Sequence, residues 1–409
     1  MGGALKAIGG LISKGLQFAT KFDLTTFLIS MAVNWAVSTL VSRAFAKKPP
    51  KPVDNGVRQQ IPPSTTNSVP VVYGDAYLGG MFIDAALSQD GKYMYYVVAV
   101  SSLSPNGQVS FDTTKFYYGD RLMTFDATDQ SKVISLTDQA GNVKTAITSD
   151  LWVYLYKSNA AGTITPLNTA LMPHEVMAYN SADKKTVPAA LAWPSSGRQM
   201  NGLAFAVIKL HYNADQQITS LDPITFHFSQ YLNGQGCARP ADVWQDYLTN
   251  ATYGGAVDSD LIDTTSVTAL NTYSDQTIPY TPSGGGALQY QARYRINGVL
   301  DTGTNVLDNV NKILDACDSW MAYNAAKGQW SVVINKAETS SFSFNDDNII
   351  EDIKVGTVDI NQSVNQIEAR FPNKLNKDIA DYVYIKTPTE LLYPNEPVNK
   401  STIDLDLVN

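Results

Sequence analysis

The stretch VVYGDAYLGGMFIDAAL, residues 71 to 87, decides how this chain is read. Gly74 and Gly79 stand five apart, the glycine spacing of the phosphate loop G-x-x-x-x-G-K-[ST], in which a lysine reaches the terminal phosphate and a hydroxyl meets magnesium. Here Gly80 occupies the lysine position and Met81 the hydroxyl position. Without the cation and the metal ligand, the loop has little phosphate chemistry left. Two strands joined by a bend is the reading that the apolar runs on either side favour.

Downstream the same pattern recurs. YMYYVVAVSSL (93 to 103), LWVYLYKS (151 to 158), GLAFAVIKLHY (202 to 212) and ITFHFSQ (224 to 230) are rich in aromatic and β-branched residues and end at Asn, Gly, Asp or Pro turns. Helical signals come later, in ADVWQDYLT (241 to 249), SVTALNTYSDQ (266 to 276) and TNVLDNVNKILDACDSWMAY. In the last, Val306, Leu307, Val310, Ile313, Leu314 and Cys317 follow the spacing of a helix buried on one side. GQWSVVINK, Gly328 to Lys336, then reads as a turn and a strand, and QIEARF (366 to 371) and DYVYIKT (381 to 387) as two more strands. Strands, then helix-containing units, then strands again predict an α+β chain that is predominantly β, not a wound parallel sheet. No period of 20 to 50 residues repeats, which argues against a solenoid.

The 409 residues allow two to four compact units. Tyr (22) outnumbers Phe (14) and Trp (6), and only 17% of residues are charged, a blend that suits half-buried strands and wide protein contacts. A net charge of -8 argues against a nucleic-acid partner, which needs a basic surface to displace counterions. Two cysteines, Cys237 and Cys317, are too few for a disulfide scaffold and point to assembly in a reducing cytoplasm. Cys317, on the apolar face of its helix, reads as an inert core thiol.

The chain opens differently. LTTFLISMAVNWAVSTLV, residues 24 to 41, carries no charge and stands at the lower limit of a bilayer-spanning length, with Phe27, Leu28, Ile29, Trp35 and Leu40 as its apolar anchors. Lys6, Lys14 and Lys21 ahead of it are spaced as on one helix face. Residues 1–46 therefore read as a hydrophobic, amphipathic helix that either enters a membrane or bundles with its own copies; a secretion signal, with Ala44 and Ala46 as an A-x-A site, is the third reading. The Pro-rich residues 47–68 form a stiff linker.

A search for chemistry finds little. His174, His211 and His227 have no second metal-type residue at ligand spacing, and His211 and His227 read as packed or hydrogen-bonded strand residues. WPSSGR (193 to 198) lacks the glycine two places before Ser196 that a nucleophile elbow needs. Asp346 with Asp347 and Glu351 with Asp352 would serve a glycosidase, but NDDNIIED fits a turn and helix start equally well. No catalytic residue, cofactor or metal is expected.

Read as a set, these stretches resemble the tip attachment (host-specificity) protein family of lambda-like long-tailed bacteriophages. VPVVYGDAYLGGMFID resembles that family's Y-G-x-x-x-x-G-G strand pair, and KYMYYVVAVS and then KFYYGDR follow in the same order. MNGLAFAVIKLHYNADQQITSLDPITFHFSQ is similar to its next strand segment. ARPADVWQDYLTNATYGGAVDSDLID resembles its P-A-x-x-x-x-d-y-L-x-x-x-x-Y-G signature through Pro240, Ala241, Tyr247, Leu248, Tyr253 and Gly254. The run ending in ILDACDSWMAYNAAKGQWSVVI, then FSFNDDNII and SVNQIEARFPN, completes the likeness from Val69 to about Asn373.

The resemblance implies several antiparallel β-rich hub domains with a few short helices: a first hub β-domain in two parts (69–110 and 191–235), an inserted β-rich domain (111–190), a helix-containing domain (236–300) and a second α+β domain (301–409). Tyr73, Gly74, Gly79 and Gly80 would shape the first bend; Pro240, Tyr253 and Gly254 would shape the helix-to-turn unit. It further implies a homotrimer at the virion's tail tip, assembled in the host cytoplasm. Its partners would be the distal tail ring protein, other tail-tip proteins, the tape-measure protein and receptor-binding fibres, with host membrane contact through residues 1–46 and no sequence-specific nucleic acid. Family members usually continue to a receptor-binding end, so receptor recognition is expected on another polypeptide or on a further part of a longer one. A tail-tip peptidoglycan hydrolase and a membrane-anchored bacterial β-rich adhesin are the alternatives.

Overall fold

The computed structural model describes residues 68–88, 91–144, 147, 149–168, 200–213, 218, 221–282, 285–339, 342–345, 348–349, 356, 363–388, 391–392 and 396–408. The apolar opening with Phe27, Leu28, Ile29, Trp35 and Leu40 lies outside these residues, as do His174, Ser196, Asp346, Asp347, Glu351 and Asp352. The chain divides into two compact units, one running to Gly236 and including Val299–Thr304, the other Cys237–Gly298 with Asn305 onward.

The first unit is built from β1 (Val71–Leu78), β2 (Met81–Leu87), β3 (Tyr93–Ser102), β4 (Gly107–Phe111), β5 (Tyr117–Tyr118), β6 (Arg121–Phe125), β7 (Val133–Thr137), β8 (Val143–Lys144), β9 (Leu151–Ser158), β10 (Ile164–Pro166), β11 (Leu203–His211) and β12 (Ile224–Leu232). They join in the order β10-β9-β11-β3-β1-β12-β5-β6-β7-β8, with β2 also on β3 and β4 also on β12. In β3, Met94, Tyr96, Val98 and Val100 enter the main core with Val153, Leu155, Ala206, Ile208, Phe226 and Phe228. The alternate residues Tyr95 and Val97 enter a second cluster with Tyr154, Tyr156, Phe205 and Val207. Both faces of these central strands are buried, which is why their sequences read as continuous apolar runs and not as alternation.

The bend at Gly79 and Gly80 does not close a hairpin. β1 pairs antiparallel with β12, whereas β2 pairs antiparallel with β3. β1 touches β3 only at its start, in parallel, at Val71 and Ser102. The chain therefore changes neighbours at the glycines.

In the second unit, α1 (Pro240–Thr249) packs on α2 (Thr264–Ser274) and on α3 (Val306–Asp315). β13 (Thr277–Tyr280) and β14 (Gln289–Ala292) form a two-stranded sheet. The short β15 (Gly298–Leu300) follows, where Val299 and Leu300 return the chain to the first unit beside β1. There Thr302 Oγ1 donates to the Val69 carbonyl at 2.9 Å. β16 (Ser319–Asn324) and β17 (Gln329–Ile334) form a hairpin, α3 packing on the first and α2 on the second. β18 (Gln366–Asn373), β19 (Ile379–Lys386) and β20 (Lys400–Asp404) close the chain in the order β19-β18-β20.

Two details of the long helical reading change. The helix stops at Asp315, and SWMAY belongs to β16, because Asp318 takes a left-handed turn at φ 50 that no helix can pass. Leu307 is exposed instead of lying on the buried face. Asn309 takes a place on that face, its Nδ2 donating to the Tyr247 hydroxyl at 2.7 Å. At 100° per residue, the face formed by Asn309, Val310, Ile313 and Leu314 leaves Leu307 about 90° from its centre.

Candidate functional site

The residues singled out by the sequence gather in two places, one in each unit. In the first, Tyr73 is wholly buried in β1 and Gly74 follows it at φ 72, opposite Gln230 of β12. Gly79 is buried at the bend, and Gly80 has φ 69, a conformation that L side chains rarely adopt. A Cβ on Gly80 would also press to 2.6 Å from Val98 Cγ1 and 2.8 Å from the Ala99 carbonyl oxygen. The glycine admits the backbone against β3 and turns it in the same step.

Toward the other end of β1, where Gln230 stands opposite Gly74, lies a buried polar clasp that the sequence reading does not single out. Gln230 Nε2 donates to the Val72 carbonyl at 2.8 Å, and Gln230 Oε1 accepts from the Ser104 backbone N–H at 3.0 Å. The Val72 N–H donates to Ser101 Oγ at 3.0 Å, and that hydroxyl donates to the Ser102 carbonyl at 2.8 Å. Gln230 and Ser101 have no exposed surface. Gly107 keeps room for the amide, since a Cβ there would stand 2.7 Å from Gln230 Oε1. The signal was present: Phe226, Phe228 and Gln230 alternate along one face of β12, and a glutamine on a core face needs partners.

In the second unit, Pro240 is the first residue of α1, where a missing N–H costs nothing. Past the other end of this helix, the Tyr253 hydroxyl donates to Asp246 Oδ2 at 2.7 Å, and its N–H donates to Asn250 Oδ1 at 3.2 Å. The Gly254 N–H donates to the Asn250 carbonyl at 3.1 Å, and the Gly255 N–H to the Tyr247 carbonyl at 3.0 Å. A Cβ on Gly254 would overlap that same Tyr247 oxygen. Arg239, just before Pro240, reaches Asp242 Oδ2 at 3.0 Å and Asp275 Oδ2 at 3.2 Å. Asp242, itself buried, also accepts from Asn271 Nδ2 at 2.8 Å. Both ends of α1 are thus tied down by side chains within this unit.

The titratable groups serve packing in the same manner. His211 Nδ1 lies 2.8 Å from Asp150 Oδ1, and Asp150 also accepts from Asn213 Nδ2 at 3.2 Å. The His211 ring lies 4.8 Å from that of Tyr93, and the buried His227 meets Tyr77 edge-on at 4.6 Å. Both histidines are the packed or bonded strand residues that their neighbours imply. Lys209 Nζ stands over the rings of Tyr93 (4.6 Å) and Trp152 (4.9 Å), so its charge is held by aromatic faces. Burial pushes the Cys317 thiol up to about 12, with Sγ 3.3 Å from the Leu314 carbonyl. Among the described residues, no three His, Cys, Asp or Glu side chains converge to hold a metal. No described helix is long and apolar enough to cross a membrane.

The two places share a construction. Each uses a glycine where backbone meets backbone and a neutral or fully paired polar group to lock the crossing.

No family model and no curated protein sequence matches the chain. Among solved structures, a chain of the "Virion of native gene transfer agent (GTA) particle" is similar, with a TM-score of 0.46 and 10% identity, covering 96% of this chain and 82% of that one.

Proposed function

We propose that the chain is a structural hub of a bacteriophage tail tip, closing the tail tube and linking the distal tail ring to receptor-binding fibres. The observation that carries this reading is the order of the family-like segments, from VPVVYGDAYLGGMFID at the start to SVNQIEARFPN near the end. The locked crossings at Gly80 and Gly254 support it, since a part that transmits force benefits from packing that has few alternative arrangements.

In this proposal three copies form a ring that continues the tube. Binding of receptor by the attached fibres shifts the ring from closed to open, and tape-measure protein and DNA leave through it. Such a shift requires fibre contacts that differ between the two states. Residues 24 to 41 would plug the closed tip, with Trp35 shielded, and move toward the host envelope on opening. The chain would act in the virion, without catalysis.

Antibody labelling of intact particles in negative stain tests the proposal. Label at the tail tip is the expected result; label on the capsid, along the tube, or on cell surfaces without particles overturns it. Sedimentation equilibrium with the distal tail ring protein should approach three chains. Cell-wall clearing that Asp346→Asn or Glu351→Gln abolishes would favour the hydrolase instead.

A further inference from the structure

β19 is an edge strand with unusual exposure. Among the described residues no strand pairs with its far side, and all eight of its residues are exposed. Tyr382 and Tyr384 lie on one face, Val383 and Ile385 on the other, each between 43% and 59% exposed. Edge strands in water are ordinarily blunted by proline, a bulge, short length or a central charge. This one pairs with β18 without interruption from Ile379 to Lys386, and its charges, Asp381 and Lys386, flank an uncharged centre.

The hydrogen-bond parity of this outer edge can be read. Thr387 N–H donates to the Asn365 carbonyl at 2.9 Å, one step beyond the Lys386 and Gln366 pair. In an antiparallel ladder such bonding alternates, so odd-numbered residues of β19 bond to β18 and even-numbered ones face outward. Tyr382 fits: its N–H is met by its neighbour's carboxylate, Asp381 Oδ1, at 2.8 Å.

We propose that β19 pairs antiparallel with β19 of a second copy of this chain, about a two-fold axis at Tyr384. The charges choose this occupant over the sheet's other edge. β20 carries Lys400 at its start and Asp404 at its end, and β19 carries Asp381 near its start and Lys386 at its end. Antiparallel pairing of β19 with β20 of a neighbour sets Asp404 against the Asp381 end and Lys400 against the Lys386 end, like against like at both places. Antiparallel pairing of β19 with itself sets the acidic end against the basic end twice. The outward parity then places Tyr384 opposite Tyr384 of the copy, Tyr382 opposite its Lys386, and Val383 opposite its Ile385. Aromatic, cation–aromatic and aliphatic pairs result on the two faces. Asp381 releases the Tyr382 N–H to the new ladder. A ring of three chains has no two-fold axis between its members, so this contact joins free chains or chains of different rings, and it stands or falls separately from the tail-tip reading.

The test is sedimentation of the full chain over a concentration series, with Tyr384→Pro and Ile385→Lys as variants. Tyr384→Pro removes an N–H that faces outward and leaves the ladder to β18 intact. The expected result is a self-association step of two chains that both variants lose while circular dichroism is unchanged. In a Cys237→Ser background, Tyr384→Cys should oxidise to a linked dimer, because directly opposite residues in such a pair lie at disulfide range, and Tyr382→Cys should not. Three results overturn the proposal: a chain with no two-chain step at any concentration, a step that survives both folded variants, or cross-linking of Tyr384→Cys to Thr402→Cys in place of itself.

Discussion

Gly254 lies so close to the carbonyl oxygen of Tyr247 that any side chain at this position would overlap it. The helix end and the turn after it are therefore held at backbone contact. Gly254→Ala should destabilise the second unit by about 3 kcal/mol, the upper end of the overpacking range, because backbone must move to make room. Gly356→Ala, where an added Cβ meets nothing within 4 Å among the described residues, is the near-neutral comparison. Chemical denaturation of the two variants measures the difference.

Gln230 makes a different prediction, since its loss strands polar groups instead of crowding them. Gln230→Leu leaves the Val72 carbonyl and the Ser104 N–H without their partner in a dry site. The cost should be about 2 to 6 kcal/mol, from roughly 1 to 3 for each of the two stranded groups. Gln230→Glu keeps the acceptor for Ser104 but turns a carboxylate oxygen toward Val72, and should fare no better. A fluorescence-detected urea transition resolves both.

Acid sensitivity should come from Glu368. Its carboxylate is held down from 4.5 to about 2, first by Lys400 and then by Arg370, each at 2.7 Å. A depressed pKa means that the contribution to stability is complete above the unfolded value of about 4.5 and is lost as pH falls through about 2. The denaturation midpoint of the second unit should drop across that window, and Glu368→Gln should flatten the drop.

The two cysteines should separate in a thiol titration. Burial raises Cys317 to about 12 and removes its thiolate near neutrality, whereas Cys237 is partly exposed. One equivalent per folded chain should react with an aromatic disulfide reagent, and the second only after denaturant is added. Rapid reaction of both in the folded protein would contradict the packing around α3.

Legibility from sequence followed burial and length. β3, β9, β11 and β12 are plain because each is a run of eight to ten mostly buried residues rich in aromatic and β-branched side chains. β5 and β8, two residues each, and the polar β4 carry no periodicity long enough to see. α3 was visible in its spacing but overrun at its end, since the left-handed turn at Asp318 is an aspartate and not the glycine that usually announces one. At the bend, Gly79 and Gly80 stand out in the sequence between two apolar runs. That β1 and β2 would choose different neighbours depends on β12, some 150 residues later, and no local pattern encodes it. Gln230 is hard to single out because ITFHFSQ reads as a strand ending at this residue, whereas β12 runs on to Leu232 and keeps the glutamine buried.

The return of Val299–Thr304 to the first unit, with Thr302 tied to Val69, bears on how this protein emerges from the ribosome. A vectorial rule, in which the earlier unit finishes before the later one starts, cannot apply in full. All of Cys237–Gly298, including α1 and α2, is synthesised before the last piece of the earlier unit exists. Until then β1 has an open edge, and the chain must hold it through the time of elongation. Pausing of translation within that interval would lengthen the exposure, and holding chaperones should be found on nascent chains that stop short of Thr304.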